Sequence, residues 1–137
     1  MDYVQFCGGG PSGPEALPED LRVSAKTLAD ASQFEDVAVL DVRDETQFGL
    51  CSLGGSVNIP WTRIASSKDH VEVQEQLRNV MEGKKQAFVV CRLGNDSQDA
   101  VRKFQEWGFD KTGCDLKDVV GGLKAWREEV DASFPEY

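Results

Sequence analysis

The chain has one histidine, His70, among its 137 residues, and its four cysteines, Cys7, Cys51, Cys91 and Cys114, never approach a C-x-x-C spacing. Structural zinc sites use Cys and His at short, regular intervals, so this pattern argues against a metal centre. A cysteine protease needs an imidazole base, and His70, within SSKDHVEV, reads instead as a residue that caps or decorates a helix. Cations are also scarce: 15 Lys and Arg stand against 24 Asp and Glu, a formal net charge of −9. Phosphate contacts need clustered Lys and Arg, so direct nucleic-acid binding is not expected, whereas a protein partner with a basic face is compatible. No apolar run nears the roughly 20 residues that cross a bilayer, so no membrane span is expected. The opening MDYVQFCGGGPSGP lacks the basic start and apolar middle of a secretory signal. The expected setting is the cytosol, where a chain of this size holds free thiols rather than disulfides.

What is present fits one folded domain: 40% of the residues are hydrophobic and 28% are charged. Residues 1–17 are rich in Gly and Pro without periodicity and read as a linker, leaving 18–137 as the domain. Ser24 is placed to cap a helix with an apolar stripe at Ala25, Leu28 and Ala29. The run DVAVLDVR, with Val37 to Leu40 unbroken, predicts a strand covered on both faces. DETQFGLC predicts a short helix and SVNIPW a brief strand stopped by Pro60. Val71, Val73, Leu77, Val80 and Met81 lie near helical spacing in DHVEVQEQLRNVMEGK, which Gly83 ends. QAFVVC is the next strand, SQDAVRKFQEWGF a helix closed by Gly108, CDLKDVV a strand, and GGLKAWREEVDAS a last helix. Strands alternating with helices predict an open, mostly parallel α/β sheet with helices on both faces. Sites in such sheets lie beyond the carboxyl ends of the strands, where DVR (41–43), CRLGNDS (91–97) and VVGG (119–122) meet.

Of these, CRLGNDS carries the chemistry. Cys91 closes a strand just before a helix, and the intervening loop must turn sharply. Gly94 takes positive φ freely and Asn95 tolerates it. Such a turn can aim successive amides inward as an anion-binding nest, reinforced by the helix that starts near Ser97. A thiol facing it is expected to be acidified to the thiolate, and the same amides could hold a second, anionic sulfur. A buried structural cysteine at a strand end is the competing reading. Cysteine phosphatases place an arginine six residues past the nucleophile and a histidine before it; here those positions hold Ser97 and Val90. Asp96 would also repel phosphate.

DVR at 41–43, SVNIP at 56–60, FVVCRLGNDS and DVVGGLKAW at 118–126 together resemble the rhodanese-like sulfurtransferase domain over about residues 20–137. The loop from Cys91 to Asp96 has six residues, the rhodanese length. CRLGNDSQ, with DYVQFCG near the start and FPEY at the end, is most similar to the C-terminal domain of eukaryotic adenylyltransferase–sulfurtransferases of molybdenum cofactor synthesis and the ubiquitin-related modifier pathway. The resemblance implies a preceding adenylating domain in the same chain, joined through residues 1–17, which would hold any ATP and zinc. The domain itself would need no cofactor beyond a covalent persulfide. It implies that a cysteine desulfurase loads sulfur onto Cys91. That sulfur passes to the adenylated C-terminal glycine of a ubiquitin-like sulfur carrier protein, and the resulting thiocarboxylate supplies molybdopterin synthesis and 2-thiolation of tRNA wobble uridine. A rhodanese fold that binds a partner without chemistry is the alternative, and a cysteine phosphatase or arsenate reductase a third.

The expected roles follow. Cys91 carries the persulfide; Arg92, Leu93, Gly94, Asn95 and Asp96 form the amide cup; Ser97 caps the helix or bonds the sulfur. Asp96 either caps that helix or stands at the rim as a filter against dianionic thiosulfate, and both can hold. Asp41 and Arg43 support the sheet edge, Arg43 pairing with an acid such as Glu45. Gly121 and Gly122 let the last helix begin close to the loop. Trp126 belongs to the core. Trp61 and Arg63 could line the entrance, and Cys51 could lie near the mouth as a resolving or a passive thiol.

Overall fold

Five parallel strands form the middle of the molecule, in the order β1-β5-β4-β2-β3. A computed structural model describes residues 16–135; Cys7, the DYVQFCG segment, the rest of the linker up to residue 15 and the last two residues of FPEY lie outside them. The strands are β1 (Arg22–Val23), β2 (Val37–Asp41), β3 (Val57–Asn58), β4 (Gln86–Val90) and β5 (Asp115–Val119). The helices are α1 (Ala25–Ala31), α2 (Glu45–Leu50), α3 (Trp61–Ala65), α4 (His70–Met81), α5 (Asp96–Glu106) and α6 (Gly122–Glu129). The predicted open α/β sheet is therefore present, and each apolar run reads out as a strand. The two-residue β1, which pairs Arg22 with Asp118, has no signal of its own in the sequence.

Strand periodicity divides the core. Ala38 and Leu40 of β2 and Ala87 and Val89 of β4 face one side, where they meet Ile64, Val73, Leu77, Met81, Val101 and Phe104 from α3, α4 and α5. Val39, Phe88 and Val90 face the other, against Ala25, Leu28 and Leu123 of α1 and α6. Phe88, Leu40 and Leu77 are wholly buried, each worth about 1.5–3 kcal/mol relative to exposure. Val71 departs from its expected place in the α4 stripe: it is 81% exposed. The buried positions, Val73, Leu77 and Met81, recur every four residues, and Val71 sits half a turn away from them.

The helix ends follow local chemistry. Ser24 Oγ accepts from the Thr27 amide and Asp44 Oδ1 from the Gln47 amide, capping α1 and α2. Gly83 and Gly108 take positive φ just after α4 and α5. Leu17, the last residue of the expected linker, is already buried in the core, and its amide donates to Gln98 Oε1 at 2.9 Å. No helix among the described residues is long and apolar enough to cross a membrane.

Candidate active site

The parity that sends Ala87 and Val89 toward α5 also sends Cys91 there, to the carboxyl edge of the sheet. The chain must then reverse into α5. Gly94 makes the turn with φ +94°, and a β-carbon on it would come 2.7 Å from the Gly121 nitrogen. Asn95, which could tolerate positive φ, has φ −101° instead and takes the N-cap position without a side-chain cap. One glycine thus suffices for the reversal. Gly121 and Gly122 seat α6 against the loop as predicted. The Leu123 amide donates to the Cys91 carbonyl at 2.9 Å and the Lys124 amide to the Arg92 carbonyl at 3.0 Å, so two amides at the start of α6 hold the loop backbone. Gln98 Nε2 donates to the Gly94 carbonyl at 2.8 Å.

The loop closes a cup around sulfur. The amides of Gly94 and Ser97 point at Cys91 Sγ from 3.0 and 3.4 Å. The thiol itself donates to Ser97 Oγ at 3.3 Å. Of the two roles expected of Ser97 the bond to sulfur is present and the helix cap is not: its hydroxyl donates to Asp118 Oδ1, whose other oxygen accepts from Arg22 Nε at 2.7 Å. Arg22 Nη2 reaches the Gly94 carbonyl at 3.5 Å.

Burial works against the expected thiolate, and these hydrogen bonds work for it. Burial pushes the Cys91 thiol above its ordinary range, outweighing the Ser97 and Gly94 hydrogen bonds that pull it down; the nearby Asp118 carboxyl adds a smaller push upward. The balance favours the protonated thiol. Asp118 is raised as well, chiefly by burial, against the opposing pull of Ser97 and Arg22.

Above the sulfur lies a cavity of about 330 Å³. Cys91, Arg92, Leu93 and Asp96 line one side, Arg43, Trp61 and Thr62 the other. Trp61 thus stands at the entrance as expected. Arg63 does not: it turns to α4, donating to Gln76 Oε1 at 3.3 Å and pairing loosely with Glu72 at 3.8 Å, because it lies on the α4-facing side of α3. Arg43 does not choose Glu45. Its guanidinium grips the buried Asp41 carboxylate, with Nη2–Oδ2 at 2.6 Å, and donates to the Cys51 and Gln47 carbonyls. Asp41, two residues back on the same strand edge, is already desolvated beside it, whereas Glu45 is exposed at the start of α2. Asp96 stands at the cavity rim, where partial burial and the neighbouring Asp99 raise its carboxyl.

Cys51 is not part of this cavity. It packs with the α1–α6 cluster while Cys91 packs with the α5 cluster, an arrangement that fits the passive thiol of the two readings. His70 lies far from the sulfur cup, bonded to the Ile64 carbonyl and edge-on to Trp107. Trp126 packs on the core, as expected. Three residues that shape the site escaped sequence reasoning: Arg22, Gln98 and Asp118. Only Asp118 left a trace, as a carboxylate two residues past the buried Leu116 on β5 and on the same face as Cys91.

The rhodanese-like domain family model matches residues 24–129. Over its whole length the chain is 38% identical to the adenylyltransferase and sulfurtransferase uba4 of Sclerotinia sclerotiorum, and over 99% of it 39% identical to that of Aspergillus clavatus. The chain spans about a third of those relatives, 30% and 32% respectively. The crystal structure of a rhodanese-related protein from Thermoplasma volcanium superposes with a TM-score of 0.59 at 28% identity, covering 83% of this chain and 94% of that one. With a parallel sheet, a strand-end cysteine and a six-residue loop wrapped around its sulfur, the chain belongs to the rhodanese-like domain family.

Proposed function

We propose that this domain is a sulfurtransferase that carries a persulfide on Cys91 and delivers its outer sulfur to the adenylated C-terminal glycine of a ubiquitin-like sulfur carrier protein. The observation that carries the reading is Sγ at the floor of an open cavity with the Gly94 and Ser97 amides aimed at it. Amides held in place stabilise an anionic sulfur without reorganising as charge develops. A phosphate is poorly served there, because the arginine position of a phosphatase loop is Ser97, tied to the buried Asp118 carboxyl. That geometry favours sulfur transfer over the phosphatase or arsenate reductase alternative, and the presence of the thiol favours it over a purely binding module.

On this reading a cysteine desulfurase is the donor, and residues 1–17 lead in from an adenylating domain of the same chain, where ATP and zinc would bind. The sulfurtransferase domain itself needs no cofactor beyond its own persulfide. It works in the cytosol, and the thiocarboxylate product serves molybdopterin synthesis and tRNA wobble-uridine 2-thiolation. Intact mass after incubation with a sulfur donor tests the central step. An added sulfur that reductant removes, and that Cys91→Ala abolishes, is expected. No adduct with any donor would favour a binding module, and Cys91-dependent hydrolysis of an aryl phosphate would favour a phosphatase.

A further inference from the structure

A thiol must lose its proton to attack, and the carboxylates that line the cavity are not bonded to it: Asp96 stands at the rim, and Asp44 caps α2 through the Gln47 amide, while His70 is bonded to the Ile64 carbonyl. Among the described residues, one buried carboxyl bonds the thiol's own hydrogen-bond partner. Asp118 lies wholly inside the protein on the Cys91 face of β5, with one carboxyl oxygen on the Ser97 hydroxyl and the other on Arg22. Ser97 has a single hydroxyl proton and gives it to Asp118. Its oxygen is thereby left as the acceptor for the Cys91 S–H at 3.3 Å. Thiol, hydroxyl and carboxylate form a directed chain. A tie between β1 and β5 needs only the Arg22–Asp118 contact, so strand pairing does not account for the oxygen turned toward the nucleophile's own hydrogen-bond partner.

We propose, on the persulfide reading above, that Asp118 is a positioning residue that makes Cys91 a nucleophile by drawing its proton through Ser97. The Cys91 S–H bond breaks and its proton joins Ser97 Oγ, while the Ser97 hydroxyl proton passes to Asp118 Oδ1. Thiol becomes thiolate, carboxylate becomes carboxylic acid, and Ser97 is regenerated. The thiolate then attacks the outer sulfur of a donor persulfide. A new S–S bond forms on Cys91, the donor's S–S bond breaks, and the donor leaves as a thiolate that takes a proton from solvent. No net charge is created in the buried site: one negative charge moves from oxygen to sulfur. Burial opposes ionisation of both acids, and a shared single charge avoids the penalty of two. The cations facing Asp118 are Arg22 from β1 and Arg102 from α5, and the acid facing it is Cys91 beyond β4. Arg22 holds the carboxylate in place without reaching the thiol.

The test is the pH profile of Cys91 alkylation by iodoacetamide, followed by peptide mass on the full chain, for the native protein, Asp118→Asn, Ser97→Ala and Ser97→Thr. The native profile is expected to keep a reactive plateau below the ionisation of the thiol, where thiol and carboxyl share one charge. Asp118→Asn preserves an acceptor for Ser97 but removes the base; it should lose the plateau and react at least about ten-fold more slowly near neutral pH. Ser97→Ala should behave the same way, and Ser97→Thr, which keeps the hydroxyl, should restore the native profile. Were Asp118 only a nearby negative charge, its neutralisation would lower the thiol pKa and speed alkylation, so an equal or faster Asp118→Asn overturns the proposal. Should circular dichroism show Asp118→Asn unfolded, the Ser97→Ala and Ser97→Thr pair decides, and equal profiles for that pair overturn it. Failure of the native protein to take up sulfur from any donor would sink the persulfide reading instead, leaving the alkylation profile to judge the proton path.

Discussion

Gly122→Ala is the smallest change that should pry the active-site loop from α6. A β-carbon at that position would stand 2.3 Å from the Cys91 carbonyl oxygen and 2.7 Å from the carbonyl carbon and oxygen of Arg92. The nearest approach is about 1 Å short of the 3.4 Å at which ordinary contact begins, and every atom it meets is backbone. These are the carbonyls that accept from Leu123 and Lys124, so relieving the clash pulls on both bonds. The left-handed φ of +59° adds a roughly 1–2 kcal/mol penalty for any side chain. Overpacking in a tight site costs about 1–3 kcal/mol more. The expected loss of stability is therefore about 2–5 kcal/mol, or about 8–20 °C in Tm for a domain of this size. Gly49→Ala is the internal contrast. Gly49 lies within α2 with nothing inside 4 Å of the added carbon, and alanine there should stabilise by roughly 0.5–1 kcal/mol. Thermal unfolding followed by circular dichroism reads both. A loss below about 1 kcal/mol for Gly122→Ala would show that loop and helix are not held at the distance argued here.

Other perturbations have equally definite signs. Arg43→Ala strands the buried Asp41 carboxylate and frees the Cys51 and Gln47 carbonyls; urea denaturation should show a loss of about 3–5 kcal/mol. Asp96→Thr removes the rim carboxylate, and turnover with thiosulfate should rise about ten-fold, equivalent to about 1.4 kcal/mol of relieved repulsion; unchanged or lower turnover would count against the filter. Burial, with Asp115 beside it, pushes the Cys114 thiol from 9.0 up to about 11, and Cys91 is raised too. The folded chain keeps these protons where the unfolded chain has lost them, so the thiol contribution is fully present below 9.0 and is lost for Cys114 as pH climbs to about 11. Alkaline denaturation midpoints should therefore fall across that window, and Cys114→Ala should flatten the slope.

Much of this was legible along the chain because it depends on local spacing. The Val37–Leu40 and Gln86–Val90 runs specify strands, Ser24 and Asp44 specify helix starts, and a cysteine after a strand with Gly94 behind it specifies a thiol facing a turn. Strand alternation alone puts Cys91 on the face of Ala87 and Val89. Local spacing could not say what else would reach that face. Arg22 meets Asp118 across 96 residues of sequence and Asp118 meets Ser97 across 21, contacts made only when β1 and β5 close the sheet beside β4. For the same reason the sequence pointed to a thiolate where burial favours the thiol. The amides that lower its pKa are local to the loop, whereas the desolvation that raises it comes from every element packed around the sulfur. Cys51 shows the same division: expected near the mouth, it does not line the cavity and packs with the α1–α6 cluster. Sequence by itself determined which cysteine ends a strand at a tight glycine turn, because both are local; tertiary packing decided how deeply its sulfur is buried and which distant side chains, Asp118 and Arg22, are joined to it through Ser97.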